Sequence, residues 1–237
     1  VISFILPAYN EEALLPGTLA TLFASARALG RPFEVIVADD ASTDRTAEIA
    51  AAAGARVVAV NHRQISATRN AGARAAQGDI LVFIDADTLV PEATLRAVLA
   101  ACDEDGAVAG GARVAFDRIP LGHRLFWGAY CRVYHGLGFA AGCFIFARRE
   151  AFAAAGGFDE TLYASEEAGM SWRLRKQGRF VIVRPPVTTS GRKLRMYRAR
   201  EILAVFLRFA RRGFGAFRTR EGLGIWYDGR REGGEAP

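Results

Sequence analysis

Four short apolar runs, separated by segments of helical spacing, constrain this chain more than any other feature. Residues 1–6 (VISFIL), 33–38 (FEVIVA), 56–60 (RVVAV) and 79–84 (DILVFI) read as strands. Residues 11–29, 43–53, 66–76 and 91–101 carry helical periodicity. Ser42 or Thr43 is a candidate N-cap, Gly78 a stop signal and Pro91 a helix opener. A strand–helix alternation of this kind predicts a mostly parallel sheet with helices on both faces. The rhythm changes after about residue 105. Strands are expected at 107–116, 139–147 and 180–183, the last ended by Pro185-Pro186. Helices are expected at 121–135, 149–155 and 166–177. The sheet should therefore become mixed in its second half. A length of 237 residues fits one such domain with an appendage.

In a parallel sheet, ligands bind beyond the C-terminal strand ends. Three of these ends are chemically loaded. Pro7-Ala8-Tyr9-Asn10-Glu11-Glu12 follows the first strand, and Tyr9 offers a face on which a base could stack. Asp39-Asp40 ends the second strand, and one carboxylate suits a base N–H or a ribose hydroxyl. Asp85-Ala86-Asp87 ends the fourth. Two carboxylates at the end of a buried strand are costly unless paired. Their hard oxygens suit Mg²⁺ or Mn²⁺, metals that travel with phosphates. Helix capping or an Asx turn explains one Asp at each place better than two.

Several classes are excluded. No glycine-rich Rossmann fingerprint follows the first strand, and no P-loop is present. Three scattered cysteines and three histidines argue against a disulfide framework and a zinc cluster. No signal peptide and no run of about 18 apolar residues is seen, which predicts a cytoplasmic protein. The net charge of +6 favours anionic partners. Residues 184–221 hold eleven Arg or Lys against two Glu. Within them, residues 201–212 form a basic amphipathic pattern that suits an anionic membrane surface, hence a peripheral location on the inner membrane face. No recognised nucleic-acid motif accompanies this charge.

Taken in order, these pieces resemble the family-2 inverting glycosyltransferases of GT-A fold, a Rossmann-like α/β architecture. The resemblance covers residues 1–185. It also draws on Ala67-Thr68-Arg69-Asn70-Ala71-Gly72, Gly156-Gly157-Phe158-Asp159-Glu160, and Glu166-Glu167 before Ser171-Trp172-Arg173-Leu174-Arg175. It implies a nucleotide-binding half at 1–104, an acceptor half at 105–185 and a basic appendage at 186–237. Pro7, Ala8 and Tyr9 would line the base pocket, with Glu11 near the base or ribose. Asp40 would accept from a uracil-type N3–H with Asp39 nearby, and Arg69 would sit against Asp40 and the base or diphosphate. Asp85 would contact ribose and, with Asp87, a divalent metal, Mn²⁺ or Mg²⁺. Arg192 and Lys193, in a mobile loop, would bond the diphosphate. Glu167 aligns with the general base in a motif usually written Glu-Asp, and Glu166 is the alternative. The implied reaction moves a sugar from a nucleotide-sugar, UDP first, to a hydroxyl on a glycan, lipid or other acceptor. The processive Gln-x-x-Arg-Trp motif is missing, which favours single transfer. Rival readings are a nucleotidyltransferase on a similar scaffold and a non-catalytic nucleotide-sugar-binding or membrane-docking protein.

Overall fold

The computed structural model of the chain describes residues 1–119, 121–197 and 217–227. Eight strands form one sheet in the order β3-β2-β1-β4-β7-β6-β8-β5. The first half alternates as expected: β1 (Ile2–Ala8), α1 (Leu15–Ala28), β2 (Phe33–Asp40), α2 (Thr46–Ala52), β3 (Arg56–Val60), α3 (Ile65–Ala75) and β4 (Ile80–Ile84). Strand β1 pairs in parallel with β2 and with β4. The second half holds β5 (Thr88–Leu89), α4 (Glu92–Asp103), β6 (Ala109–Phe116), α5 (Leu121–Gly136), β7 (Phe144–Arg148), α6 (Arg149–Ala154), α7 (Glu166–Arg175), β8 (Phe180–Thr189), α8 (Arg192–Met196) and α9 (Gly224–Tyr227). Here the sheet becomes mixed. β7 runs antiparallel to β4 and β6, while β6 and β8 are parallel.

Strand alternation places apolar residues on both faces. Phe4, Leu6, Val35, Val37, Val82 and Ile84 pack with α1 and α4. Ile5, Ile36, Leu81 and Phe83 point the other way, into a second cluster with Phe152, Met170 and Leu174. Every residue of β1 is buried, and burying each large apolar side chain contributes about 1.5–3 kcal/mol. Helix α3 lies close against β1. A Cβ on Gly72 would stand 2.4 Å from Ile5 Cγ2, so only glycine permits this approach.

Four element boundaries depart from expectation, each for a local reason. Helix α1 starts at Leu15 rather than 11, because the preceding loop is tied elsewhere: Glu11 N–H donates to Thr46 Oγ1 at 2.8 Å. Helix α2 starts at Thr46 with Arg45 in the cap position, so neither Ser42 nor Thr43 caps it; Asp44 Oδ1 accepts from Thr46 N–H at 2.9 Å. Strand β7 begins only at Phe144, because residues before it turn toward α7, where Ala140 N–H donates to Ser171 Oγ at 3.0 Å. Strand β8 runs through Pro185-Pro186 to Thr189. Ala112 pairs with Val183 and Val114 with Val187, so both prolines fall in a bulge where no N–H is required. The boundary expected at 185 thus lies inside a strand. The amphipathic pattern at 201–212 lies outside the described residues, and no helix among the described residues is long and apolar enough to cross a membrane.

Candidate active site

Strand β1 leads to β2 on one side and is flanked by β4 on the other, so the sheet changes direction between β1 and β4. A crevice opens there beyond the strand ends. Among the described residues, the non-glycine positions with positive φ are Asn10, Ala41, Arg63 and Ser165, at 52–58°. The first three lie in the loops after β1, β2 and β3, and Ser165 directly precedes Glu166. Such backbone costs about 1–3 kcal/mol each and gathers where a site demands a fixed shape. The loops are also cross-braced: Asn10 N–H donates to Ser42 Oγ at 3.0 Å, and Asn10 Oδ1 accepts from Thr43 N–H at 2.8 Å.

Asp85 and Asp87 stand at this crevice with side chains 31% and 11% exposed. Glu11 joins them. Burial pushes the Asp87 carboxyl up to about 6, with the charges of Asp85 and Glu11 adding to the shift and Arg192 opposing it. Arg69, Arg192 and Lys193 stand beside these three carboxylates and balance their charge. Among the described residues no group of three His, Cys, Asp or Glu can hold a metal unaided. A divalent ion at Asp85 and Asp87 would need ligand oxygens or water to complete its shell.

Arg192 occupies a different place from the one expected. It is no loop residue but opens α8, and it is buried. Its guanidinium grips Glu11 in a two-pronged contact, with Nη1 2.7 Å from Oε2, and its Nη2 lies 3.2 Å from Asp87. Glu11, expected beside the base or ribose, is thus engaged by Arg192. Burial lowers the Lys193 ammonium, against the pull of Asp87 and Asp85.

Asp40 has no acceptor capacity to spare. Oδ1 accepts from His62 N–H at 2.6 Å and Arg63 N–H at 2.8 Å. Oδ2 accepts from Gln64 N–H at 3.0 Å and Thr68 Oγ1 at 2.8 Å. A carboxylate has about four lone-pair sites, and all are filled in holding the start of α3. Asp40, expected at the base, is thus engaged at the start of α3. Asp39 differs: its buried Oδ1 has no hydrogen-bond partner. The Arg63 guanidinium covers one face of Tyr9, 3.6 Å from the ring centroid.

Arg69 is 1% exposed and lies away from Asp40. It bonds Asp85 at 2.8 Å, Glu166 at 2.6 Å and the Gly142 carbonyl at 2.8 Å. Burial alone would lower this guanidinium, but Asp85 and Glu166 more than offset that and hold it charged. Glu166 is buried as Arg69's partner. Glu167 is only partly covered and accepts from Tyr134 Oη at 3.2 Å. Burial, then the charge of Glu166, pushes the Glu167 carboxyl up to about 7. A carboxylate poised there exchanges protons at neutral pH. One guanidinium thus bridges the Asp85 side of the crevice to the Glu166-Glu167 side.

The family model for glycosyl transferase family 2 matches residues 3–155. This chain belongs to glycosyl transferase family 2. It is 42% identical over 99 residues to an undecaprenyl-phosphate 4-deoxy-4-formamido-L-arabinose transferase of Pseudomonas paraeruginosa, covering 38% of this chain and 29% of that protein. The corresponding transferase of Klebsiella pneumoniae is 37% identical over 120 residues, covering 47% and 36%. The chain spans about a third of the length of these curated relatives. The fold also matches solved structures. S. aureus TarS 1-349 in complex with UDP-GlcNAc aligns with TM-score 0.64 and 20% identity, over 88% of this chain and 64% of that one. The mannosyltransferase PcManGT of Pyrobaculum calidifontis, with GDP-Man and Mn2+, aligns at 0.63 and 22%, over 100% and 65%. The GT-A architecture expected from the sequence is present.

Within this glycosyl transferase family 2 chain, some site-building residues carry no clear sequence signal. Arg63 is one, since nothing in its neighbours announces the contact with Tyr9. Another is Arg220, legible only as one basic residue of the tail. It donates to the Arg63 carbonyl at 2.5 Å and lies 5.3 Å from the ring centroids of Tyr163 and Tyr227. Phe217 and Leu223 pack with Leu162 and Ala164, just before Glu166. Residues 217–227 thus brace two site loops. Cys102, Cys131 and Cys143 are free thiols.

Proposed function

We propose that this chain transfers a sugar from a nucleotide-sugar, UDP-linked, to an acceptor hydroxyl with inversion at the anomeric carbon, assisted by a divalent metal. Glu167 carries the proposal: a carboxyl pushed up to about 7 by burial and by the Glu166 charge, and joined to the Asp85 side of the crevice through Arg69. Solved structures of similar fold hold Mn2+ with GDP-Man, or Mn2+ with UDP and glucosyl-3-phosphoglycerate, which supports a metal and a nucleotide-sugar here.

In this reading Asp39 Oδ1 accepts the uracil N3–H, and Tyr9, held by Arg63, lines the base pocket. Glu167 takes the proton of the acceptor hydroxyl while the acceptor oxygen bonds to the anomeric carbon. The bond from that carbon to the diphosphate breaks, and the electron pair leaves on UDP. Asp85 and Asp87 would hold the metal, which supplies positive charge at the leaving diphosphate. Arg69 keeps Glu166 and Asp85 in register beside Glu167. Arg192 and Lys193 add cationic charge beside the same carboxylates. Glu167→Gln tests the base: sugar transfer should fall about 10²–10⁴-fold, and wild-type turnover would reject the role.

A second reading takes the names of the curated relatives at their word: transfer to a lipid phosphate, with attachment to an anionic membrane surface through residues 201–212. A phosphate oxygen is already ionised near neutral pH and needs no base. The readings therefore separate on Glu167→Gln, which the lipid-phosphate reaction would tolerate. Calorimetry checks the metal: UDP should bind at full affinity only with Mn²⁺ or Mg²⁺ present.

A further inference from the structure

A second concavity of about 1100 Å³ lies apart from the nucleotide crevice. Its walls come from the end of β6, the segment that follows, one face of α5, Ile182 of β8 and Arg195 of α8. Four guanidiniums border it, those of Arg113, Arg118, Arg132 and Arg195, against one carboxylate, Asp117. That carboxylate is already engaged. It accepts from Gly191 N–H at 2.7 Å and lies 3.3 Å from Arg195 Nη1. The guanidiniums of Arg113, Arg118 and Arg132 have no hydrogen-bond or ion-pair partner among the described residues. Like charges gathered round one hollow repel each other unless an anion joins them. The planar fork of arginine matches phosphate oxygens.

The hollow also offers other contacts. Phe116 and Trp127 stand with ring centroids 6.1 Å apart on its wall. His135 Nδ1 faces the Phe139 carbonyl at 3.1 Å and must donate to it, which leaves Nε2 an acceptor; that nitrogen is buried with no partner. The position ties the hollow to the chemistry. Helix α5 carries Cys131 and His135 on the wall and, between them, Tyr134, which bonds Glu167. Helix α8 turns Arg195 to the hollow and Arg192 to Asp87. Between the two sites, Gly191 N–H reaches Asp117, while Ser190 N–H donates to the Asp87 carbonyl at 3.2 Å.

We infer that this hollow is the acceptor's phosphate site, so that the acceptor is a phosphorylated hydroxyl compound anchored by Arg113, Arg118 and Arg132 with its hydroxyl directed to Glu167. This deepens the transfer proposed above and rests on it. The phosphate can belong to a soluble polyol phosphate or to a lipid headgroup.

Calorimetry with sn-glycerol 3-phosphate, with glycerol as the control, probes the soluble source. Co-sedimentation with phosphatidylglycerol vesicles, against phosphatidylcholine vesicles, probes the lipid source. Arg113 and Arg132 are exposed, so the double variant Arg113→Ala/Arg132→Ala should keep its fold. Binding of either phosphate probe should weaken at least tenfold in that variant, while UDP binding with Mn²⁺ and the Tm stay unchanged. Glycerol 3-phosphate binding names a soluble acceptor, and binding to vesicles alone names a lipid. No binding to either probe, or binding that the double variant leaves intact, overturns the inference. The latter result with vesicles would assign them to the basic tail. Loss of UDP binding by the wild type would instead count against the transfer reading, leaving the phosphate result to be judged separately.

Discussion

Asp39-Asp40 at the end of β2 and Glu166-Glu167 at the start of α7 solve the same problem in different geometries. Each is a pair of adjacent acids, and in each one member is consumed by the fold. Asp40 is saturated by four donors around the start of α3. Glu166 is buried against Arg69. Their neighbours are left with capacity: Asp39 Oδ1 has no partner among the described residues, and Glu167 accepts from Tyr134 and is pushed up to about 7. On a strand adjacent side chains point to opposite faces, and on a helix they diverge by about 100°. A doublet of acids therefore lets one residue fix the scaffold while the next faces the ligand. The scaffold member also shapes the other: the Glu166 charge helps raise Glu167.

That division of labour can be broken in order of expected effect. Glu167→Gln should lower kcat about 10²–10⁴-fold with the Tm nearly unmoved. Glu166→Ala should act mainly on folding, costing about 3–5 kcal/mol in urea denaturation, because it removes one partner of a buried ion pair. If Glu166→Ala were stable and inactive while Glu167→Gln stayed active, the two roles would be exchanged. In the other pair, Asp40→Ala should destabilise by about 2–3 kcal/mol, since it strips charged hydrogen bonds from the start of α3. Asp39→Asn should leave the Tm alone and weaken UDP binding about tenfold, because a neutral amide oxygen replaces a charged acceptor. Equal UDP affinity in that variant would remove Asp39 from the base pocket.

The smallest effect is in pH. Glu167 must be ionised to act as base, so kcat/KM should rise with pH through about 7 and flatten in Glu167→Gln. The same shift has the opposite sign for stability. A carboxyl raised from about 4.5 to about 7 makes the folded state prefer the acid form, so its stabilising contribution is lost as pH rises across that interval. Urea midpoints of wild type and variant between those limits would separate the two effects.

Much of the first half was legible because its signals are local. The apolar runs of β1, β2, β3 and β4 alternate with helical spacing, and the acids at their ends mark the crevice. Legibility fell where long-range contacts decide. Pro185-Pro186 reads as a strand end, yet β8 continues because a bulge against β6 needs no N–H there. Ser190-Gly191-Arg192-Lys193 reads as a loose basic loop, yet Arg192 is locked to Glu11, 181 positions away. Arg113, Arg118, Arg132 and Arg195 come from separate segments and line one hollow only in the folded chain.

The sequence by itself determined that this chain builds an α/β sheet with acids at its ligand edge, because periodicity and strand-end chemistry are properties of neighbouring residues. Which acid of each doublet faces a ligand, and which cation meets it, was decided by the tertiary structure alone. A carboxylate's role depends on which lone pairs remain after the fold has drawn on the rest. The donors that fill them, the α3 backbone for Asp40 and Arg69 for Glu166, come from other elements of the chain.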